Sequence, residues 1–486
     1  MNNTRTYEQH AYIQKSRNMT VERCDPCGQQ RRDCCCCHDH KRKPKSLTLT
    51  VTTLNNSGRG SLRSAIDKAN ACKPKDGTTI LFSVRGTIFL QGAPLPAITS
   101  KVTIDATTTP GNPNSAQMPT IEIDCNSLAY GLKFETRSAA GSTVAGIAVV
   151  NSSGTGIVID ETSDITIYGC RVGVGLDNVR KPNGSGISAV ASKNVRIGLN
   201  PLHVSGFASN VISGNKGPGI VIENSSDFTI VSNFVGTDAT GMVKMGNEGN
   251  GAILMLGAAR CRIGGTVITN SDGVTNNPTG SKGTVPPVTI FPPLGNLISG
   301  NGAIGVAIYS NASTQNVLNG NFIGTDVTGN TALGNGSLGV FINAPNTFIV
   351  GCSVDDEPFV YYNVISGNSS SLLGFGMVID GDDCVVHANF VGIGMDDKTP
   401  VPNGMDGVML ETCKRTQVGG VIPLGNVISR NARDGITIKS TAFENVVTGN
   451  YVGLNALQEH APNGGVAIND EAPAGQNAVF ANFTFP

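Results

Sequence analysis

Along most of this chain, short apolar runs alternate with polar, glycine-rich corners. The clearest signal is a Gly followed by strictly alternating apolar residues, as in Gly219-Ile220-Val221-Ile222-Glu223. Period-2 alternation places Ile220 and Ile222 on one face of a strand and Val221 and Glu223 on the other. The pattern starts at Gly156, Gly186, Gly219, Gly251, Gly305, Gly339, Gly376, Gly407, Gly435 and Gly465, mostly 28 to 37 residues apart. The inward pair recurs as Ile157/Ile159, Val306/Ile308, Val340/Ile342, Val408/Leu410, Ile436/Ile438 and Val466/Ile468. No single coil can bury such a stripe, whereas stacked coils join it into one aliphatic core.

Two further strings alternate between these strands. Asn210-Val-Ile-Ser-Gly-Asn215 returns at Asn296–Asn301 and Asn363–Asn368, and with Arg for Gly at Asn426–Asn431. Asn233-Phe-Val-Gly-Thr-Asp238 returns at Asn321–Asp326 and, shortened, at Asn389–Gly392 and Asn450–Gly453. Asn suits tight corners because it tolerates left-handed backbone, and it can pair with the copy in the next coil. The Asp of Gly-Thr-Asp is replaced by Gly175, Gly394 or Asn455 in related repeats, which fits a turn residue better than a catalytic one.

These repeats resemble right-handed parallel β-helix proteins of the pectate-lyase-like superfamily, in particular its surface-protein type, over about residues 50–486. The resemblance includes an opening motif from Val51 to Asn70, where Ser61 is a good N-cap and Leu62, Ala65, Ile66 and Ala69 form one apolar face. The expected fold is all-β: a single-stranded right-handed parallel β-helix with a short capping helix over residues 61–70. Residues 1–45 form a flexible, Cys-rich basic arm and 46–486 the solenoid. Within it, 46–77 hold the opening strand and cap, 78–145 the first coils and 146–486 the repeat array. Segment 266–295 reads as an inserted loop.

Composition agrees: 61 Gly in 486 residues and only 15% charged residues exclude a long coiled coil and charge-driven disorder. The net charge of -1 hides an asymmetry, since residues 1–45 carry ten Lys and Arg against five Asp and Glu. The body is mildly acidic, which gives no reason to expect nucleic-acid binding. No run is long and apolar enough for a membrane span. The N-terminus has no apolar h-region, so a secretory signal is not expected.

Candidate chemistry is sparse. Cys24, Cys27, Cys34, Cys35, Cys36 and Cys37 cluster in the arm, followed by His38 and His40. The preferred reading is disulfide crosslinking between subunits. The alternative is zinc held by Cys24, Cys27, Cys34, Cys37, His38 and His40, although four consecutive Cys cannot all face one ion. The other cysteines (Cys72, Cys125, Cys170, Cys261, Cys352, Cys384 and Cys413) read as buried small hydrophobes. No other cofactor is expected, unless the chain is a lyase, which would bring calcium.

The resemblance alone does not imply a reaction, because the fold hosts enzymes and inert rods alike. The motif set of pectin hydrolases cannot be assembled here, and His203, His387 and His460 stand alone. A lyase would need carboxylates for calcium beside a basic residue. The best candidates are Asp380, Glu411 and Lys439, one per consecutive coil, with Asp382, Asp383, Asp396 and Asp397 nearby in sequence. A solvated charged ladder explains the same residues.

One stripe calls for a cover. The first outward residues of the Gly strands (Val158, Ser188, Val221, Ile253, Ala307, Phe341, Val378, Met409, Thr437 and Ala467) are mostly apolar. Cover by the chain's own loops is preferred over a neighbouring subunit, the loops being the Thr-Gly arms after Asp238 and Asp326 and segment 266–295. At the end of the chain, Phe480, Phe483 and Phe485 are expected to dock against another subunit. The function expected is thus a structural, surface-exposed β-helix subunit of a virion, spore layer or appendage. It would self-associate and could contact polysaccharide. A tailspike- or depolymerase-type lyase or hydrolase is the alternative.

Overall fold

The computed structural model describes residues 44–109, 119–198, 209–265, 295–353, 360–368, 373–421 and 424–484. The Cys24–Cys37 cluster, His38, His40, His203, Phe485 and all but the last residue of segment 266–295 lie outside them. The chain divides after Arg42, and the unit that begins at Lys43 carries all of the architecture below.

Among the described residues, three parallel sheets of 14, 13 and 11 strands run the length of this unit. Sheet A extends from Leu47–Val51 to Ala478–Phe480, sheet B from Gly86–Phe89 to Phe483–Thr484, and sheet C from Tyr130–Glu135 to Ile468–Asp470. Each strand pairs with its counterparts one coil away, in register, as in Ile187↔Ile220↔Ile253↔Val306↔Val340↔Met377↔Val408↔Ile436. This is a right-handed parallel β-helix, the hand that parallel crossovers of L-residues favour. Fourteen strands spaced ~4.8 Å apart make sheet A about 60 Å long.

The inward pairs are fully buried from Ile157/Ile159 to Ile436/Ile438 and form one continuous core. Each such side chain contributes about 1.5–3 kcal/mol, against about 0–1 kcal/mol for an exposed ion pair. The aliphatic stack, not the surface charge, therefore holds the coils together.

The register corrects two coils. Ile253 pairs with Ile220 and lies in the core, so the outward residue there is Leu254. Ile468 pairs with Ile436, so the counterpart of Gly435 is Ala467, the outward residue is Asn469, and Val466 is 55% exposed. At both places the inward pair follows an alanine, Ala252 or Ala467, rather than a glycine.

The helix spans Leu62–Cys72, with Ser61 accepting a hydrogen bond from the Ser64 amide at 3.2 Å. Leu62, Ala65, Ile66 and Ala69 join the main core, as their spacing requires. Cys72 is buried, as the sequence reading expects, and it is also disulfide-bonded.

Buried asparagines fix the register. At the start of the sheet B strands, Asn210, Asn233, Asn296, Asn321, Asn363, Asn389, Asn426, Asn450 and Asn482 form a ladder. Each Nδ2 donates to the next Oδ1 at 2.8–3.0 Å. At the corner towards sheet C, a second ladder runs through Asn183, Asn215, Asn247, Asn301, Asn335, Asn368, Asn403, Asn431 and Asn463, at 2.8–3.1 Å. The glycine of Asn-Phe-Ile-Gly follows from this. Gly324 has φ +92°, and a Cβ there would stand 2.5 Å from Asn368 Oδ1.

Asn321→Ala strands buried polar groups on both neighbouring coils, at about 1–3 kcal/mol per group left unpaired. Its thermal midpoint should fall by several degrees. Asn482→Ala, at the partly exposed end of the same ladder, should shift it by less than half as much. Equal shifts would show that the ladder position does not matter.

Candidate functional site

The two alternating strings prove to be one two-coil unit. After every second sheet B strand the chain makes a hairpin arm, closed by the bridges Val174↔Arg180, Thr237↔Lys244, Thr325↔Ala332, Ile393↔Pro400 and Leu454↔His460. The serine of the intervening coil fastens the base of the next arm. Ser213 donates to Thr237 O at 2.7 Å, Ser366 to Ile393 O at 2.8 Å and Ser429 to Leu454 O at 2.6 Å. Ser299 accepts from the Gly324 amide at 3.0 Å.

The arms seal an outward apolar stripe on sheet B that runs Val211, Phe234, Leu297, Phe322, Val364, Phe390 and Val427. Val174, Val327 and Ile393 of the arms pack on it, with Met245 and Met395 partly buried beside them. The Thr-Gly arms therefore cover sheet B and not the sheet C stripe. There, Val378 and Met409 pack with Phe375, Leu338 and Met405 from the turns just before the strands. The arm aspartates are turn residues. Asp326 Oδ1 accepts from the Thr328 amide at 3.1 Å and from Thr328 Oγ1 at 2.6 Å, and Asp238 accepts from Thr240 Oγ1 at 2.8 Å.

Asp380, Glu411 and Lys439 stand one coil apart, each following a paired sheet C strand. They do not converge: Lys439 Nζ meets Glu471 Oε1 at 2.9 Å, while Asp380 accepts from Asn343 Nδ2 at 2.8 Å and from Thr412. The neighbouring aspartates serve corners. Asp383 makes a two-toothed pair with Arg415, at 2.8 Å on each side, and that guanidinium holds its carboxyl below the ordinary range. Asp227 and Arg260 repeat the arrangement near the middle of the solenoid. Asp396 accepts from the Thr399 amide at 2.8 Å, and Asp397 accepts from the Ala456 amide at 2.9 Å. Burial lowers the pKa of His387, which lies away from these carboxylates on sheet A.

Two charged clusters escaped the sequence reading. Glu122, 2% exposed, accepts from Lys181 Nζ at 3.1 Å and from the Leu176 amide at 2.9 Å. Lys181 also meets Asp177 at 3.2 Å, so this cluster pins the first arm across sheet B. The buried Asp406 accepts from Thr437 Oγ1 at 2.8 Å and from the Asp434 amide at 3.2 Å, tying two coils together. Only contact between residues distant in sequence reveals either one. Among the described residues, no group of three or more His, Cys, Asp or Glu is placed to hold a metal ion. No helix among them is long and apolar enough to cross a membrane.

Phe483 closes the sheet B stripe by stacking on Tyr451, with ring centroids 4.8 Å apart, whereas Phe480 is 56% exposed. Phe483 is thus engaged by its own chain.

No protein-family model and no curated protein matches the sequence. Solved structures do. The A-module of the Azotobacter vinelandii mannuronan C-5 epimerase AlgE6 is 13% identical, covering 90% of this chain and 99% of that one at a TM-score of 0.43. The Dettilon tailspike protein gp208 is 14% identical, covering 89% and 70% at a TM-score of 0.48. The periplasmic alginate epimerase AlgG is 13% identical, covering 91% and 86% at a TM-score of 0.32. The fold rests on the strand pairing and not on these likenesses.

Burial pushes the thiols of Cys125, Cys170 and Cys413 up to about 12 and those of Cys261 and Cys384 to about 11. All five stay protonated at pH 8, and the thiolate is the reactive form. In the native protein at pH 8 these five should resist alkylation and react only after unfolding, as mass mapping of labelled peptides would record. Rapid native labelling of any of them would show a core that opens.

Proposed function

We propose that this chain is a structural, surface-exposed β-helix subunit of a particle or appendage such as a virion or spore layer. The observation that carries this reading is the pair of nine-membered asparagine ladders, buried in all but their last members, Asn482 and Asn463. Buried polar side chains here join coil to coil, and the arms lock every second coil. That construction suits a rigid spacer.

The Cys-rich arm, with Cys24, Cys27 and Cys34–Cys37, would anchor or crosslink the subunit. Exposed Val466, Val479 and Phe480 on the last coil offer apolar surface for self-association. The runner-up is a polysaccharide lyase or hydrolase acting through Asp380, Glu411 and Lys439. The ion pair between Lys439 and Glu471 weighs against it, since a base must be free to take a proton.

Non-reducing gels of the native assembly should show multimers that collapse with reductant and vanish when Cys34–Cys37 become Ser. Multimers that persist in that variant, or one zinc bound per chain, would overturn crosslinking. Incubation with acidic polysaccharides should yield neither unsaturated product nor new reducing ends. Turnover that disappears in Lys439→Ala, with the thermal midpoint unchanged, would establish the enzyme instead.

A further inference from the structure

Seven asparagines in this chain are followed directly by glycine: Asn183, Asn250, Asn301, Asn319, Asn335, Asn403 and Asn463. This dipeptide is chemically labile in water. The backbone nitrogen of the glycine can attack the asparagine Cγ, because no side chain on the second residue stands in its way. Glycine also reaches the backbone angles that the attack needs. Five of the seven are rungs of the corner ladder, and there the fold opposes the attack.

Asn335 shows how. It is fully buried, and its Nδ2 donates to Ile298 O and to Asn368 Oδ1, both at 3.0 Å. Its Oδ1 accepts from Asn301 Nδ2 at 2.9 Å. The Gly336 amide, whose nitrogen would attack, donates to Asn301 O at 2.8 Å. Gly184, Gly302 and Gly404 repeat this bond, to the carbonyls of Ser152, Asn247 and Asn368 at 2.8–2.9 Å. Cyclisation at these rungs has to wait for an opening that breaks the ladder. Asn319, at the end of the strand Val317–Asn319, is 1% exposed. Asn463, the last rung, is partly exposed but still donates to Ile428 O at 3.0 Å and accepts from Asn431 Nδ2 at 3.0 Å. Its Gly464 amide remains bonded to Asn431 O at 2.8 Å.

Asn250 is the exception. It stands in the bend just before the sheet C strand Gly251–Leu256, and it is exposed. Its side chain makes no hydrogen bond among the described residues. Nothing there holds the amide away from the glycine that follows.

We propose that Asn250–Gly251 is a self-modification site, at which the folded protein converts its own amide to an acid. The Gly251 nitrogen bonds to Asn250 Cγ, the bond from Cγ to Nδ2 breaks, and the proton of that nitrogen leaves with Nδ2 as ammonia. Water then opens the five-membered imide at either of its two carbonyls, giving aspartate or isoaspartate. Water is the only other reactant. Both products place a new negative charge in front of the strand, and isoaspartate also lengthens the backbone there by one carbon. Because the other six asparagines are held back, the proportion of acid at residue 250 records the age of the folded molecule. The inference does not depend on the structural role proposed above.

The test is to age the full chain at pH 8 and 37 °C, native and in denaturant, and to map amide-to-acid conversion by peptide mass at all seven sites. In denaturant all seven should convert. In the native protein Asn250 should convert at least tenfold faster than any of the other six, and its peptide should split into aspartate and isoaspartate forms. Asn250→Gln should abolish this conversion and leave the thermal midpoint at the wild-type value, since the residue is exposed. An Asn250 that keeps its amide in the native protein while it converts in denaturant would overturn the proposal. Buried ladder asparagines that convert as fast as Asn250 would overturn it too.

Discussion

A buried amide with no partner costs about 1–3 kcal/mol, and this solenoid contains two continuous columns of them. Each column is stable only if the next coil presents its own asparagine at the same height. Every interior asparagine is both donor and acceptor, so a coil that slipped by one residue would strand groups above and below it. The aliphatic stack supplies most of the cohesion and resists a one-residue slip, which would turn its inward side chains outward, but a two-residue slip only exchanges one apolar residue for another. The amide columns tolerate neither, and they turn a sticky stack into a single registered structure.

From this constraint the outer layer follows. A glycine precedes each arm, and at Gly173, Gly236, Gly324 and Gly392 the ladder amide of the next coil fills the space that a Cβ would need, as Asn368 does at Gly324. The chain leaves the coil at that glycine and returns as a hairpin. The serine of the neighbouring coil ties down its base, and the aromatic and aliphatic stripe of sheet B lies beneath. In the first coils, up to the one in which the corner column begins at Asn183, the outward stripe changes character. Glu122 and Arg171 replace the apolar residues on sheet B, and a polar groove by Phe89 opens at the adjacent corner.

Much of this was legible in the sequence. The alternating strands, the pairing of asparagines between coils, the helix at Ser61 and the turn role of Asp238 and Asp326 all follow from local pattern and residue chemistry. What escaped depends on neighbours distant in sequence. The sheet B stripe is a single residue per coil, as in Phe234 and Leu297, so it has no periodicity within its own strand. The strands at Ile253 and Ile468 were misplaced because alanine had taken the place of glycine, which only the pairing reveals. Asp380, Glu411 and Lys439 were correctly placed on consecutive coils, yet sequence could not show that Lys439 turns to Glu471 rather than back to Glu411. Glu122 and Lys181 lie 59 residues apart, and no local signal joins them.

The central claim is that the asparagine columns are as much part of the protein's bonding as the sheets. The most direct measurement is native-state hydrogen exchange at the ladder asparagines of sheet B. The backbone amides of Asn296, Asn321, Asn389 and Asn426 donate to side-chain oxygens of the next coil at 3.0–3.2 Å and not to backbone carbonyls. These four should exchange as slowly as the strand amides of Phe322, Val364 and Phe390 beside them. Exchange faster by several orders of magnitude would mean that the columns open independently of the sheets, and would contradict it.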